Sequence, residues 1–144
     1  MITVRQLLEV KGRSVFSVDP DATVFSAITQ MAERGIGALV VLEENALTGI
    51  ISERDYLTKV VLKNRSSRET KVAEIMTPKP ISIVLTNTVE DCMQIMTKRR
   101  VRHLPVVDGG RVIGMISIGD VLKHMLDERE QTIQQLSDYI AGHG

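Results

Sequence analysis

The sequence predicts an α+β fold: two tandem strand-helix-strand-strand-helix units followed by a C-terminal helix. Three observations carry that expectation. Residues 101–120, VRHLPVVDGGRVIGMISIGD, read as a hairpin feeding a helix. Val101, Leu104, Val106 and Val107 make an apolar β-type run, Asp108-Gly109-Gly110 is a turn signal, and residues 111–116 alternate. Ser117-Ile118-Gly119-Asp120 then has the S/T-x-x-D/E spacing of a capping box, in which a hydroxyl and a carboxylate satisfy orphan N–H groups at a helix start. Finally, the whole arrangement occurs twice. Sliding the chain by 65 residues lays residues 15–57 on residues 80–122 without a gap, with 12 of 43 positions identical. GIISERDYL thus meets GMISIGDVL, and the period is too long for an ordinary solenoid repeat, so two stacked units are expected.

Taken in order, residues 1–8 form a helical lead-in, and VRQLL is echoed by VAEIM at residues 72–76, so each unit is expected to carry its own lead-in. Residues 15–18 are a short strand closed by Asp19-Pro20-Asp21. Thr23 caps a helix whose apolar face is Val24, Ala27, Ile28 and Met31, and Gly35 and Gly37 end it. Residues 38–42 are a continuously apolar strand, Glu43-Glu44-Asn45 a turn, residues 47–51 the return strand, and Ser52 opens a helix to about Lys63. NRSSRET at residues 64–70 is polar, has no apolar anchor and reads as a linker. The prolines at 78 and 80 impose extended backbone before a strand at residues 81–84. Thr88-Val89-Glu90-Asp91 opens a helix with Val89, Cys92, Met93 and Met96 on one face. A strand, a crossover helix and a hairpin give a small mixed sheet with helices on one face. These boundaries divide the chain into a first repeat at residues 1–70, a second at 71–126 and a helical tail at 127–144. In the tail Ile133, Leu136 and Ile140 keep helical spacing, residues 127–130 interrupt it with charge, and Gly142 stops it. That stripe either meets a partner or packs back on its own chain.

Composition narrows the function classes. The net charge is zero and the pI about 6.8, so no global field favours nucleic acid or an anionic membrane. Lys98-Arg99-Arg100-x-Arg102, with four aromatic residues in the whole chain, is a weak nucleic-acid footprint; the first three cations suit the negative end of their helix. There is no long apolar run and no apolar signal-peptide core, which leads to a soluble, intracellular, cytoplasmic expectation. One cysteine excludes an intrachain disulfide and argues against a structural zinc cluster; Cys92 aligns with Ala27 and reads as a small core residue. With three histidines, one cysteine and no nucleophile-base or metal spacing, no enzyme, catalytic cofactor or metal is expected.

The doubled G-h-h-S-x-x-D, where h is apolar, the LPVVD strand before its second copy and the spacing of the unit resemble the CBS domain, named after cystathionine β-synthase. The pair is similar to a stand-alone Bateman module, and the likeness spans about residues 1–126. The resemblance implies two units packed sheet to sheet about a pseudo-twofold. It also implies an adenosine-containing ligand (AMP, ADP, ATP, NAD or S-adenosylmethionine) in the clefts between them, a regulated partner protein, and pairing of modules into disc-like homodimers. A catalytic barrel like that of inosine monophosphate dehydrogenase, which carries such a pair, needs far more chain than this. A ligand-independent dimerising scaffold is the alternative.

On this resemblance Asp120 and Asp55 accept hydrogen bonds from ribose hydroxyls while also serving as capping carboxylates, because an ionised carboxylate has about four acceptor sites. Ser117 and Ser52 are N-caps with a ligand contact in reach. Arg102 and His103 stand where phosphate-contacting residues occur in the family, with an Arg fork suited to phosphate oxygens and a histidine that titrates near neutrality. Adenine is expected against Ile81, Ile83 and Val101, beside Pro105 of the LPV strand. Arg54 is expected to reach across the cleft. Gly37 and Ala38 replace the Arg-His pair in the first repeat, so the site of the second repeat is expected to fill first.

Overall fold

The structure, a computed structural model, describes residues 2–143. Its elements are α1 (Val4–Lys11), β1 (Ser17–Val18), α2 (Val24–Arg34), β2 (Ala38–Glu43), β3 (Ala46–Ser52) and α3 (Glu53–Tyr56), which passes into a π-helical turn at Leu57–Val61. There follow α4 (Val72–Ile75), β4 (Thr77–Pro78), α5 (Val89–Arg99), β5 (His103–Asp108), β6 (Arg111–Ser117) and α6 (Ile118–Asp138), which ends in a π-helical turn at Tyr139–His143. In the first repeat β1 pairs parallel with β2, and β2–β3 and β3–β4 pair antiparallel. The second repeat has the β5–β6 hairpin. The strand expected at residues 81–84 is reduced to one parallel bridge, Ile83 to Val106, with Ile83 N–H donating to the Pro105 carbonyl at 2.9 Å. Pro80 and the following turn leave it no longer run to pair.

The two hairpins are near copies. β3 and β6 share one alternation of burial, and each hairpin carries its register shift at the matching place. Gly109 and Gly110 turn the second with φ of 59° and 79°; the first makes the same left-handed turn with Glu44 and Asn45 at 51° and 67°, the costlier choice of residues. Thr23, Ser52, Thr88 and Ser117 each accept from the N–H three residues on, as N-caps do.

The lead-ins are exchanged, which corrects the expectation that each repeat carries its own. Val4, Leu7 and Leu8 of α1 lie in the core of the second repeat with Ile83, Val89, Cys92, Leu104 and Ile116. Val72 and Ile75 of α4 lie in the core of the first with Val24, Met31, Leu39 and Ile51. Backbone bonds fix both: Val4 N–H to the Asn87 carbonyl at 2.7 Å, and Val72 N–H to the Ala22 carbonyl at 2.9 Å. The exchange explains the glycine that opens each motif. A Cβ on Gly114 would come within 2.9 Å of the Leu8 side chain, and one on Gly49 would collide with Met76 Sδ.

Two further expectations are corrected. Residues 64–70 are docked rather than loose: Val24 and Phe25 donate backbone N–H groups to the Thr70 and Ser67 carbonyls, Thr70 is buried, and the Arg68 guanidinium lies 3.8 Å from the centre of the Phe25 ring. The last helix runs unbroken through the charged residues 127–130 and past Gly142, because one glycine at a helix end costs only about 1 kcal/mol. Val121 is its buried residue, while Ile133, Leu136, Tyr139 and Ile140 are exposed, so the tail does not pack back on its own chain. Cys92 is buried, and that burial, with Asp91 nearby, pushes its thiol up to about 11.

Candidate functional site

The hairpins meet along β3 and β6, and beside that junction lies a cleft of about 470 Å³. Its volume falls in the range of small-molecule sites. One wall is Ser14, Phe16 and residues 35–38 of the first repeat; the other is His103, Met115, Ser117 and Asp120 of the second. Lys11 and Gly12, at the end of the exchanged helix, close one side.

Asp120 is held by the start of α6. Its Oδ2 accepts from the Ser117 N–H at 2.8 Å, from Ser117 Oγ at 2.9 Å and from Lys11 Nζ at 2.6 Å. Among the described residues no donor reaches Oδ1. Burial works against ionisation here, but the Lys11 ammonium and the Ser117 donors outweigh it and hold the carboxyl below its ordinary range. Lys11 also donates to the Met115 carbonyl, which steers its ammonium into the cleft. Burial pushes the His103 imidazole down first, Lys11 and Arg102 push the same way, and Asp120 opposes them. The ring is therefore neutral near pH 7, offering one donor and one acceptor. Gly37 lies beside it: a Cβ there would be in ordinary contact with His103 Nε2 at 3.7 Å but would press on Glu53 Oε1 at 2.9 Å.

Of the expected site residues the cleft gathers Asp120, Ser117 and His103. Arg102 is exposed and outside it; its carbonyl accepts the Ile118 N–H at 2.8 Å. Ile81, Ile83 and Val101, expected to form the apolar slot, do not line this cleft. Ile83 is core, Ile81 and Val101 pack on that core, and Pro105 is buried against Ile83. The apolar wall opposite Asp120 is Phe16 and Ile36, which the 65-residue register aligns with Ile81 and Val101, so carboxylate and wall come from different repeats. The register alone could have found them. Phe16 is backed by the Arg34 guanidinium, 4.1 Å from its ring centre. Lys11 lies outside the repeat register, and nothing in the sequence pointed to it.

Asp55 has the same cap in a different setting. Its Oδ2 accepts from the Ser52 N–H at 2.9 Å and from Ser52 Oγ at 3.1 Å, while Lys59, one turn along, sits 3.0 Å from Oδ1. Asp55, Ser52 and the exposed Arg54 line neither this cleft nor a second, apolar groove of about 580 Å³ between α2 and α3. That groove holds no capping-box side chain.

Sequence comparison matches the CBS domain pattern to residues 1–62 and 72–127. The chain is 41% identical over 149 aligned residues to the CBS domain-containing protein CBSX3, mitochondrial, of Arabidopsis thaliana, covering 97% of this chain and 72% of that one. It spans about a quarter of several longer Arabidopsis relatives. Among solved structures, a protein with CBS domains from Burkholderia ambifaria MC40-6 is 47% identical with a TM-score of 0.84, over 87% of this chain and 94% of that one. The CBS domain protein PAE2072 from Pyrobaculum aerophilum, solved in complex with AMP, is 26% identical with a TM-score of 0.74, over 83% of this chain and 89% of that one. CBS pairs are regulatory modules. Among the described residues no helix is long and apolar enough to cross a membrane. With both repeats matched in sequence and in fold, the chain belongs to the CBS-domain family as a tandem pair of repeats.

Proposed function

We propose that this chain is a regulatory module that binds an adenosine-containing ligand in the Asp120 cleft and transmits occupancy to a partner protein. The observation that supports it best is Asp120 itself: an ionised carboxylate anchored through Oδ2, with Oδ1 receiving no donor among the described residues, opposite the apolar face of Phe16 and Ile36. Ribose hydroxyls donate to such a carboxylate, and a purine lies on such a wall. The AMP complex of PAE2072 supports the ligand class. AMP, ADP, ATP, NAD and S-adenosylmethionine all carry the adenosine part that this pair of features addresses. The reading is binding rather than catalysis: among the described residues His103 makes no hydrogen bond to Ser14 or Ser117, the cleft's two hydroxyl side chains, as a base would to its nucleophile.

Calorimetry against these compounds, with melting curves, is the test. A ligand at 100 times its dissociation constant adds about 2.7 kcal/mol of stability; no stabilisation by any of them at millimolar concentration rejects the reading. The exposed Ile133, Leu136, Tyr139 and Ile140 favour homodimerisation as well, because a twofold lets one apolar stripe meet its copy. Light scattering that returned the 16.0 kDa of one chain would reject the dimer. A dimer that bound none of the adenosine compounds would instead support the scaffold reading. We place the protein in the cytoplasm; recovery in an organelle on cell fractionation would correct that.

A further inference from the structure

Besides Asp120, the residues lining the cleft include one lysine and no arginine, and that lysine is Lys11. His103 is held neutral, and Arg102 stands outside. Lys11 is also well anchored. It is the last residue of α1, whose Leu7 and Leu8 are buried in the second core, and Gly12 turns the chain away behind it at φ 98°. Its ammonium donates to Asp120 Oδ2 and to the Met115 carbonyl. An ammonium has three N–H groups on a flexible four-carbon stem, so one remains for an anion while the other two hold their places. Lys11 also balances the charge of Asp120, without which a phosphate would meet a net negative cleft.

We propose that Lys11 is the cation that receives the ligand's phosphate, making this cleft selective for phosphorylated adenosine over the free nucleoside. Asp120 Oδ1 then takes the sugar hydroxyls and Lys11 the anion, so the two ends of the ligand are read by the two members of one ion pair. This rests on the adenosine reading above and assigns its phosphate contact to the exchanged helix rather than to the Arg102 position. Lys11 is thereby a specificity-determining residue, and the link between cleft and α1 runs through it.

The test is calorimetric titration of AMP and of adenosine into the wild type, Lys11→Met, Lys11→Gln, Lys11→Arg and Arg102→Met, each checked by melting. The wild type should prefer AMP. Lys11→Met should weaken AMP about tenfold or more, the size of a lost charge-assisted hydrogen bond, and shift adenosine by less than about threefold. Lys11→Gln, which keeps an amide to hold Asp120, should behave the same way should the Met variant fold poorly. Lys11→Arg should keep the preference, and Arg102→Met should leave it unchanged. An unchanged AMP-to-adenosine ratio in both neutral variants overturns the assignment. So does tighter AMP binding, which would make Lys11 a plug rather than a receptor. A wild type that binds AMP and adenosine equally sinks the role of Lys11 and leaves the adenosine reading standing, whereas a wild type that binds neither sinks both.

Discussion

The helix starts at Ser52–Asp55 and Ser117–Asp120 carry the same box and make the same cap, yet their carboxylates face different surroundings. Asp55 gives Oδ2 to its cap and Oδ1 to Lys59 of its own helix, an i,i+4 pair. Asp120 gives Oδ2 both to its cap and to Lys11, which lies 109 residues away, and among the described residues its Oδ1 receives no donor. The position matching Lys59 is His124, which pairs with Glu128 instead. A capping box therefore sets where the carboxylate stands. What it can bind is set by whether a cation outside the box claims its second oxygen: Lys59 takes Oδ1 of Asp55, whereas Lys11 shares Oδ2 of Asp120 with the cap.

The largest effect should come from the exchange of lead-ins that delivers Lys11. Leu8 is 1% exposed and sits over Gly114, so Leu8→Ala should cost about 2–5 kcal/mol in urea unfolding. Met76, its counterpart over Gly49, is half-buried, and Met76→Ala should cost less. Hydrogen exchange decides which half feels the loss. Leu8→Ala should speed exchange in β5 and β6, and faster exchange in β2 and β3 instead would break the assignment of α1 to the second core.

Next in size is the contrast between the carboxylates. Asp120→Asn should weaken AMP about tenfold or more, since a hydrogen bond to a charged group contributes about 1.5–3 kcal/mol. Asp55→Asn should change it by less than threefold. Both variants lose a capping carboxylate, at about 1 kcal/mol each, so melting must accompany the titrations. A folded Asp120→Asn that bound as well as the wild type, beside an inactive Asp55→Asn, would reverse the comparison.

The capping boxes, the hairpins and the helix faces were legible because each is a local pattern: a hydroxyl three residues before a carboxylate, two glycines between alternating runs, Val24 and Met31 on one stripe. The exchange of α1 and α4 was not. VRQLL and VAEIM are interchangeable as apolar helices, and which core each fills depends on chain direction across the pseudo-twofold. The same limit applies to the apolar wall: Ile81 and Val101 belong to the same repeat as the second motif, whereas Phe16 and Ile36, which line the Asp120 cleft, belong to the other. Gly49 and Gly114 did carry a signal. A glycine fixed at the same place in two hairpins asks for a close neighbour, which Met76 and Leu8 supply.

A smaller effect separates the halves by pH. His103 has its pKa lowered, by burial first and then by Lys11, whereas Ala38 holds the matching place in the first repeat. The unfolded chain takes up a proton as pH falls below about 6.5, and folded His103 resists it. The stability this group contributes is therefore full above about 6.5 and declines as pH drops toward its folded value. His103→Asn should flatten melting temperature against pH in that window. Asp120, also lowered, loses its contribution in a separate window beginning near pH 4 and running downward. A wild type whose melting temperature stayed level from pH 7.5 to 5.5 would show that His103 titrates as freely in the fold as outside it.

The smallest effect expected is at Lys59, and it tests what makes a carboxylate a site. Lys59 holds Asp55 Oδ1 at 3.0 Å and donates to the Ile75 carbonyl at 2.9 Å, mirroring the way Lys11 bridges Asp120 and Met115. Its side chain is 45% exposed, so the ion pair contributes only about 0.3–0.5 kcal/mol. Lys59→Met should lower stability by about that amount and should do so less in high salt. It also frees Oδ1 of Asp55, so that, as at Asp120, only Oδ2 is held by the cap. Asp55 nonetheless lines neither the Asp120 cleft nor the groove between α2 and α3, so an unclaimed oxygen there meets neither apolar wall. AMP stoichiometry should therefore stay at one per chain. A second equivalent appearing in Lys59→Met would show that the clamp, rather than the missing wall, had kept the first repeat silent.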